Sequence, residues 1–185
     1  MKLRTVVMAG LAMAALVSVS AQEKTVMVGG QSMLPSKNIV ANAMNSKDHT
    51  TLVAAVKAAG LVETLQGHGP FTVFAPTNSA FAALPAGTVD MLLKPESKGT
   101  LTKVLTYHVV AGKFDAETIW SKVKAGSGNA EFTTVSGGKL WVMMNGPKNL
   151  LIKDEKGMTA EISTYDVTQS NGVIHVVTSV LMPKS

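Results

Sequence analysis

Apolar residues recur at helical spacing in the first half of the chain and at strand spacing in the second. Leu52, Val56 and Ala59 share one helical face, so a helix is predicted over residues 49–59, capped by Asp48 and ended by Gly60. Shorter helical segments are predicted over residues 38–45, 61–65, 88–92 and 101–105 and after Asp115. A short strand is predicted over Tyr107-His108-Val109-Val110, and this half of the chain is otherwise expected to be mainly helical.

The second half is predicted to form hairpins and one long buried strand. The hairpins pair residues 131–135 with 139–143 and residues 150–153 with 159–166, each around a Gly-containing turn. Residues 173–182 are almost continuously apolar, which is typical of a strand covered on both faces. Helices followed by strands indicate an α+β fold.

The segment from residue 71 to residue 81 combines a strand, a corner and a helix start. Its strand consists of aromatic and β-branched residues, Phe71, Val73 and Phe74. Pro76 has no backbone N–H, so a central strand cannot continue through it. Thr77 and Asn78 are good helix N-caps, and Phe81 is expected to face back toward the strand. The pattern alone is typical of a strand-to-helix corner in any α+β core.

The N-terminus has the pattern of a secretory signal peptide over residues 1–21. Lys2 and Arg4 precede an apolar run over residues 6–19. The run is followed by the small residues Ser20 and Ala21, and cleavage is expected after Ala21. The run is shorter than the roughly 18 apolar residues typical of a membrane span. The alternative is an uncleaved N-terminal anchor.

After the signal peptide, residues 22–36 are predicted to be a flexible lead-in, because Gly29-Gly30 and Pro35 interrupt any regular pattern. The remaining segment, residues 37–183, has the length of a single domain. An exported protein of periplasmic or extracellular location is expected, with no integral membrane segment in the mature chain.

The amino-acid composition limits the kinds of molecule that the protein is expected to bind. Of 185 residues 46% are hydrophobic and none is Cys, so a core is expected to hold the domain without disulfides. The net charge of +5 falls to +3 when Lys2 and Arg4 are removed, leaving 15 basic and 12 acidic residues. The mature chain then has no Arg, the residue best suited to phosphate and guanine recognition, so nucleic-acid binding is not expected.

Three segments together resemble the fasciclin-like (fasciclin I) domain family, here in a bacterial secreted single-domain form. Residues 71–81 resemble its first signature, and residues 171–177, with Asn171, Gly172 and His175, resemble its second. Tyr107-His108 resembles the dipeptide that lies between them. Their order and spacing match over roughly residues 37–183, nearly the whole mature chain.

The resemblance implies a two-sheet β wedge with helices packed around it, and an extracytoplasmic adhesion or interaction module. One departure is Thr178, which stands where the second signature commonly has an acid, so a hydroxyl replaces any cap or salt bridge made there. Without Arg in the mature chain an Arg-Gly-Asp site is excluded, and integrin binding is not carried over.

No residue pattern points to catalysis, a metal or a cofactor. The chain lacks a Gly-x-Ser-x-Gly elbow, a His-Glu-x-x-His motif and Cys, so no enzyme activity is predicted. Its four histidines, His49, His68, His108 and His175, are far apart in sequence, so no metal site is expected. No cofactor is expected either.

Tyr107 and His108 have two interpretations. His108 is either a structural group, hydrogen-bonded to the corner at Thr77 or Asn78, or part of a partner-facing edge together with Tyr107, as the resemblance implies. His175 is expected to be a satisfied group within the sheet, and Met143-Met144 are expected to lie in the core.

The predicted function is therefore non-enzymatic binding to cell-surface or matrix components, protein or polysaccharide, and it rests on the resemblance. The alternative is a carrier of an apolar small molecule such as a carotenoid, in a groove at the edge of the core. The sequence does not indicate which partner is bound or the oligomeric state.

Overall fold

The computed structural model describes residues 25–184. Within that range the helices are α1 Ile39–Ala43, α2 Thr50–Ala59, α3 Val62–Gln66, α4 Asn78–Ala82, α5 Thr88–Leu92, α6 Lys98–Tyr107 and α7 Ala116–Ala125. The strands are β1 Val26–Val28, β2 Gln31–Met33, β3 Phe71–Pro76, β4 Val109–Ala111, β5 Asn129–Thr133, β6 Lys139–Asn145, β7 Asn149–Lys153, β8 Thr159–Gln169 and β9 Gly172–Val177. Short 3₁₀ turns occupy Lys47–His49 and Pro95–Ser97. The signal peptide predicted over residues 1–21 lies outside the described residues.

Seven strands form one sheet in the order β4-β3-β9-β8-β7-β6-β5, and β1 and β2 form a separate hairpin. Strands β3 and β9 run parallel, with Phe71 opposite Gly172, and the other neighbours are antiparallel. The segment that contains α4, α5 and α6 connects β3 to its antiparallel neighbour β4, and the parallel partner β9 follows only after strands β4–β8.

The long strand β8 divides this sheet into the two halves of a wedge. Its pairing with β9 shifts register on both sides of Thr164, and Asp166 adopts a left-handed φ of 55°. Such irregularities bend a strand and increase its twist. The outer strands meet again, because the Val135 N–H donates to the Val109 carbonyl at 2.7 Å, so the sheet is nearly closed.

Two apolar clusters fill the fold. One lies between the helices α1–α6 and the outer side of β3 and β9, and it includes the Phe81 side chain. The other lies inside the wedge, where alternate residues of β5, β6 and β7 point inward and α7 covers the opening. Every residue of β9 is buried, as expected for a strand between two layers. The fold is therefore α+β, with a β wedge and helices mostly in the N-terminal half.

The segment predicted as a flexible lead-in over residues 22–36 contains a hairpin in the part that the structure describes. Val26–Val28 pairs with Gln31–Met33, and the Met33 side chain is only 3% exposed. The Gly29-Gly30 pair, with φ of 60° and 73°, forms the hairpin turn and does not loosen the segment.

Two strand predictions need correction at their ends. Tyr107 is the last residue of α6 and not the first of a strand, because Leu101, Val104 and Leu105 extend the helical face to that point. The apolar run over residues 173–182 leaves the sheet after Val177. The Thr178 N–H still donates to the Glu161 carbonyl of β8, but the N–H groups of Leu181 and Met182 donate to side chains.

The expectation that Met143-Met144 lie in the core is also wrong. Leu140 and Val142 are fully buried on the inner face of β6, so strand alternation turns Met143 outward, and Met144 is 41% exposed near the strand end.

Candidate functional site

The corner after β3 is built by two capping side chains. The Thr77 hydroxyl accepts a hydrogen bond from the Ala80 N–H at 3.3 Å and begins α4. The Asn78 amide reaches a different helix: its oxygen accepts from the Thr51 N–H at 3.0 Å, and its nitrogen donates to the Lys47 carbonyl at 2.8 Å. Asn78 therefore caps α2, the role that the sequence assigned to Asp48.

The aromatic residues of the first signature, residues 71–81, pack against the two apolar clusters. Phe81 packs in the helix-covered cluster and Phe74 in the wedge, where its ring stacks on His175 with centroids 5.8 Å apart. Phe71 is half-buried, and Pro76 closes β3 opposite Val177. These side chains hold the corner between two layers.

Tyr107 is fully buried, with its hydroxyl between two backbone groups. The hydroxyl donates to the Lys139 carbonyl at 2.6 Å and accepts from the Glu155 N–H at 3.0 Å. Its ring lies against Gly138, where an added Cβ would stand 2.7 Å from a ring carbon. Burial raises the pKa of Tyr107 to about 12, so the phenol stays protonated and continues to donate.

His108 is buried beside Tyr107 and uses both ring nitrogens. Its Nδ1–H donates to the Val104 carbonyl at 2.8 Å, and its Nε2 accepts from the Leu181 N–H at 2.9 Å. This pattern requires the neutral ring with the proton on Nδ1. Burial lowers the pKa of His108 to about 4, which agrees with that state.

The structure corrects the predicted contacts of His108, and partner binding by the Tyr107-His108 pair stays a prediction. His108 is structural, but it holds the α6 end and the C-terminus instead of the corner at Thr77 or Asn78. A partner-facing edge made by these two side chains does not fit their burial, since Tyr107 is 0% and His108 2% exposed. Any effect of either residue on partner binding would act through the backbone that it positions.

Two acidic residues join His108 in holding the C-terminal segment, defined here as residues 178–184. Asp154 accepts from the Met182 N–H at 2.9 Å, and Glu155 accepts from the Lys184 N–H at 2.9 Å. Hydrogen bonds from the amides of Lys139 and Lys184 lower the pKa of Glu155. The sequence did not single out these acids, although an Asp at the start of a Gly-containing turn signals a side-chain-to-backbone cap.

Asn171 and Gly172 fasten the start of β9 to the helical layer. The Asn171 oxygen accepts from the Ile39 N–H at 3.0 Å, while its amide nitrogen donates to the carbonyls of Leu65 at 2.8 Å and Gly67 at 3.1 Å. Gly172 is needed for space, since an added Cβ would lie 2.0 Å from the Phe71 carbonyl oxygen.

His175 is fully buried in the middle of β9 and is held from both sides. Its Nε2–H donates to the Phe114 carbonyl at 2.8 Å, and its Nδ1 accepts a hydrogen bond from the Asp166 N–H at 3.4 Å. Burial lowers the pKa of His175, so the neutral ring is favoured. The group joins β9 to the bend of β8 and to the loop before α7.

Thr178 forms two hydrogen bonds with Glu161 at the position where the family pattern has an acid. Its hydroxyl accepts from the Glu161 N–H at 3.1 Å, and its own N–H donates to the Glu161 carbonyl at 3.0 Å. The departure from the family pattern therefore leaves the β8 and β9 ends joined.

His49 is a buried group that sequence reasoning did not single out. Its Nδ1 lies 2.8 Å from the Ser46 hydroxyl, and its Nε2 has no hydrogen-bond partner. Burial lowers the pKa of His49. The nearby Ala75 carbonyl acts in the raising direction, although it does not reach hydrogen-bond geometry. Two small apolar cavities of about 40 and 30 Å³ adjoin at Ile39 and Leu52, and His49 lines the smaller.

Residues 25–184 contain no group of three His, Asp or Glu side chains arranged to hold a metal ion. Within the same range no helix has both the length and the apolar character needed to span a bilayer. The histidines 49, 108 and 175 each lie in separate surroundings, with their own backbone or hydroxyl contacts.

The fasciclin domain sequence model matches residues 47–183 of this chain. Protein sll1483 of Synechocystis sp. is 44% identical over 175 residues, which cover 94% of this chain and 89% of the relative. The cell surface glycolipoprotein MPB83 of Mycobacterium bovis is 34% identical over 146 residues, covering 76% of this chain and 58% of that protein.

The fold has a counterpart among solved structures. A FAS1 domain pair from the insect cell adhesion molecule fasciclin I superposes with a TM-score of 0.57 at 18% identity, covering 71% of this chain and 43% of the other. At that identity the likeness concerns the fold.

Proposed function

This chain belongs to the fasciclin domain family, and on that basis we propose that it is a non-enzymatic module that binds cell-surface or matrix components outside the cytoplasm. The observation that carries the proposal is the use made of the signature residues. The polar side-chain atoms of five signature residues form hydrogen bonds with backbone groups of the same domain. These residues are Thr77, Asn78, Tyr107, His108 and Asn171.

This arrangement favours binding over catalysis. A general base or nucleophile must reach a substrate atom, and the polar groups of Tyr107, His108 and His175 are enclosed and already bonded. The signatures therefore serve to shape a rigid body, and the partner is expected to contact its exterior. A relative named as a cell surface glycolipoprotein supports an extracytoplasmic location.

The test applies the fluorescently labelled protein to the cells that produce it and to their extracellular matrix. Saturable binding, competed by unlabelled protein, is the expected result. A heat-unfolded sample is the control for non-specific adsorption. The proposal fails if the folded protein binds no more than this control.

A second candidate function is transport of an apolar small molecule such as a carotenoid. The two apolar cavities beneath α1 and α2, with the unpartnered His49 Nε2 at the edge of one, favour it. Their volumes of about 40 and 30 Å³ are far below the roughly 300 Å³ or more of ordinary ligand pockets, so a long polyene would require α1 or α2 to move. Visible absorption of the protein purified from its producer would support this function, and a colourless protein would count against it.

A further inference from the structure

We propose that two adjoining surface grooves form one binding track for an acidic polysaccharide, a sugar polymer that carries carboxylate groups. This inference rests on the proposed binding function and assigns it a site. The first groove, about 500 Å³, lies along the outer face of β6 and β7 and includes Trp141, Met143 and Lys153. The second, about 370 Å³, lies between α6 and the C-terminal segment.

Lys156 lines both grooves, so the two grooves adjoin at this residue. It belongs to the turn over residues 154–157, between β7 and β8. Lys103 and Lys184 border the second groove, so the track carries four lysines, Lys103, Lys153, Lys156 and Lys184.

Strand alternation explains why an aromatic ring lies in the track. Leu140 and Val142 are fully buried inside the wedge, so Trp141 between them faces outward and stays partly exposed. In the ladder between β6 and β7, Trp141 is directly opposite Lys153. An indole ring and an ammonium group thus share the same stretch of surface.

The two grooves are lined by four lysines and two acids, Asp154 and Glu155, so their lining keeps a net charge of +2. Asp154 is 1% exposed, and its two oxygens accept from the N–H groups of Lys156, Met158 and Met182. The Glu155 carboxylate likewise accepts from backbone N–H groups. Among residues 25–184 the single salt bridge joins Lys139 to Glu131, so the four track lysines form none there.

The combination of one aromatic face and dispersed lysines selects the class of ligand. The apolar face of a sugar ring can cover the indole, while carboxylates spaced along the polymer meet successive ammonium groups. A neutral glycan would leave the lysines without partners. Single-stranded nucleic acid is bound by repeated aromatic platforms together with a basic groove, and this track has one aromatic residue and no Arg.

The experiment measures binding of the full chain to fluorescently labelled polygalacturonate, with neutral dextran and polyphosphate as comparison polymers. We expect saturable binding to polygalacturonate that weakens as salt is raised, and none to dextran. The Lys153→Gln/Lys156→Gln variant should bind about tenfold more weakly. A Lys37→Gln/Lys47→Gln variant, with the same charge change outside both grooves, should bind as the original chain does.

Trp141→Ala tests the aromatic contact, and Trp141→Phe keeps a ring if the first variant does not fold. Loss of about tenfold in affinity for polygalacturonate, with polyphosphate binding unchanged, is the expected result. The proposed track is overturned if the Lys153→Gln/Lys156→Gln and Lys37→Gln/Lys47→Gln variants lose the same amount of affinity for polygalacturonate. Binding of polyphosphate and polygalacturonate alike, unaffected at Trp141, also overturns it and indicates a general attraction of anions.

The same variants applied to the producing cells separate this inference from the function on which it rests. Cell binding that survives Lys153→Gln/Lys156→Gln, without binding to polygalacturonate, overturns the track and leaves the adhesion proposal standing. Absence of cell binding by the original chain overturns the adhesion proposal, whatever polygalacturonate does.

Discussion

The Nε2 atom of His108 lies 2.9 Å from the backbone nitrogen of Leu181 and accepts a hydrogen bond from it, across 73 residues of sequence. The other ring nitrogen holds the Val104 carbonyl in the last turn of α6. One imidazole ring thereby joins the end of the helical half to the end of the chain that the structure describes. The predictions below start from this bond and from the signature residues around it.

Replacing His108 with Ala should destabilise the domain and loosen its C-terminal segment. The change leaves the Leu181 N–H and the Val104 carbonyl without their ring partner and opens a cavity, at a cost of about 2–4 kcal/mol in the free energy of unfolding. Urea titration measures this cost, and hydrogen exchange at the Leu181 amide reports the loosening. His68→Ala, at an exposed histidine, should change stability by less than about 0.5 kcal/mol. Unchanged exchange at Leu181 would contradict the assigned role.

Stability should fall as the pH drops from about 6.5 toward 4. The pKa of His108 is about 4 in the folded chain against an ordinary value of 6.5, so the unfolded chain binds more protons in this interval. The stabilisation is fully present above pH 6.5, and its loss for His108 alone is on the order of 3 kcal/mol. Burial lowers the pKa values of His49 and His175 as well, which adds loss of the same sign.

Urea midpoints measured from pH 7.5 to pH 4 test this dependence. The His108→Ala variant should show a shallower slope, because its unfolded state has one histidine fewer to protonate. An equal slope in both proteins would show that His108 is not responsible.

Asn171→Asp should weaken the attachment of β9 to the helices. The carboxylate can still accept from the Ile39 N–H, but both donations, to the Leu65 and Gly67 carbonyls, are lost and replaced by repulsion. We expect a loss of about 2–4 kcal/mol in the free energy of unfolding, measured by chemical denaturation. Asn149→Asp makes the same charge change at an exposed residue, and a comparable loss there would contradict the explanation.

Gly172→Ala should prevent the regular pairing of β3 with β9. The new Cβ would lie 2.0 Å from the Phe71 carbonyl oxygen, a backbone atom that cannot move aside without separating the strands. A loss of more than about 3 kcal/mol, or failure to fold, is expected by thermal and urea unfolding. At Gly99, in α6, an added Cβ meets nothing within 4 Å, so Gly99→Ala should stabilise the helix by up to about 1 kcal/mol.

Tyr107→Phe should lower stability without changing partner binding. The hydroxyl bridges the Lys139 carbonyl and the Glu155 N–H, and its removal costs about 1–2 kcal/mol. Binding of the folded variant to the producing cells should equal that of the original protein, because the side chain is buried. A folded variant that no longer binds would return Tyr107 to the partner site.

Local patterns in the sequence were enough for much of the fold. Strand-forming runs on either side of Gly-containing turns predicted the β5–β6 and β7–β8 hairpins, Gly60 ended α2, and Pro76 ended β3. The two signatures and the dipeptide between them were sufficient to identify the fasciclin family, since their order and spacing together are specific. These features depend on neighbours in sequence, which the sequence displays directly.

Only the tertiary structure decided what the signature side chains contact. His108 bonds to Leu181 and not to the corner, Asn78 caps a helix 27 residues away, and Asp154 holds Met182. The same holds for the partly exposed Trp141 and the buried Tyr107, whose surroundings are set by strands and turns distant in the chain. Such partners are chosen when separate elements pack together, because a hydrogen bond depends on distance and angle in space and not on separation in sequence.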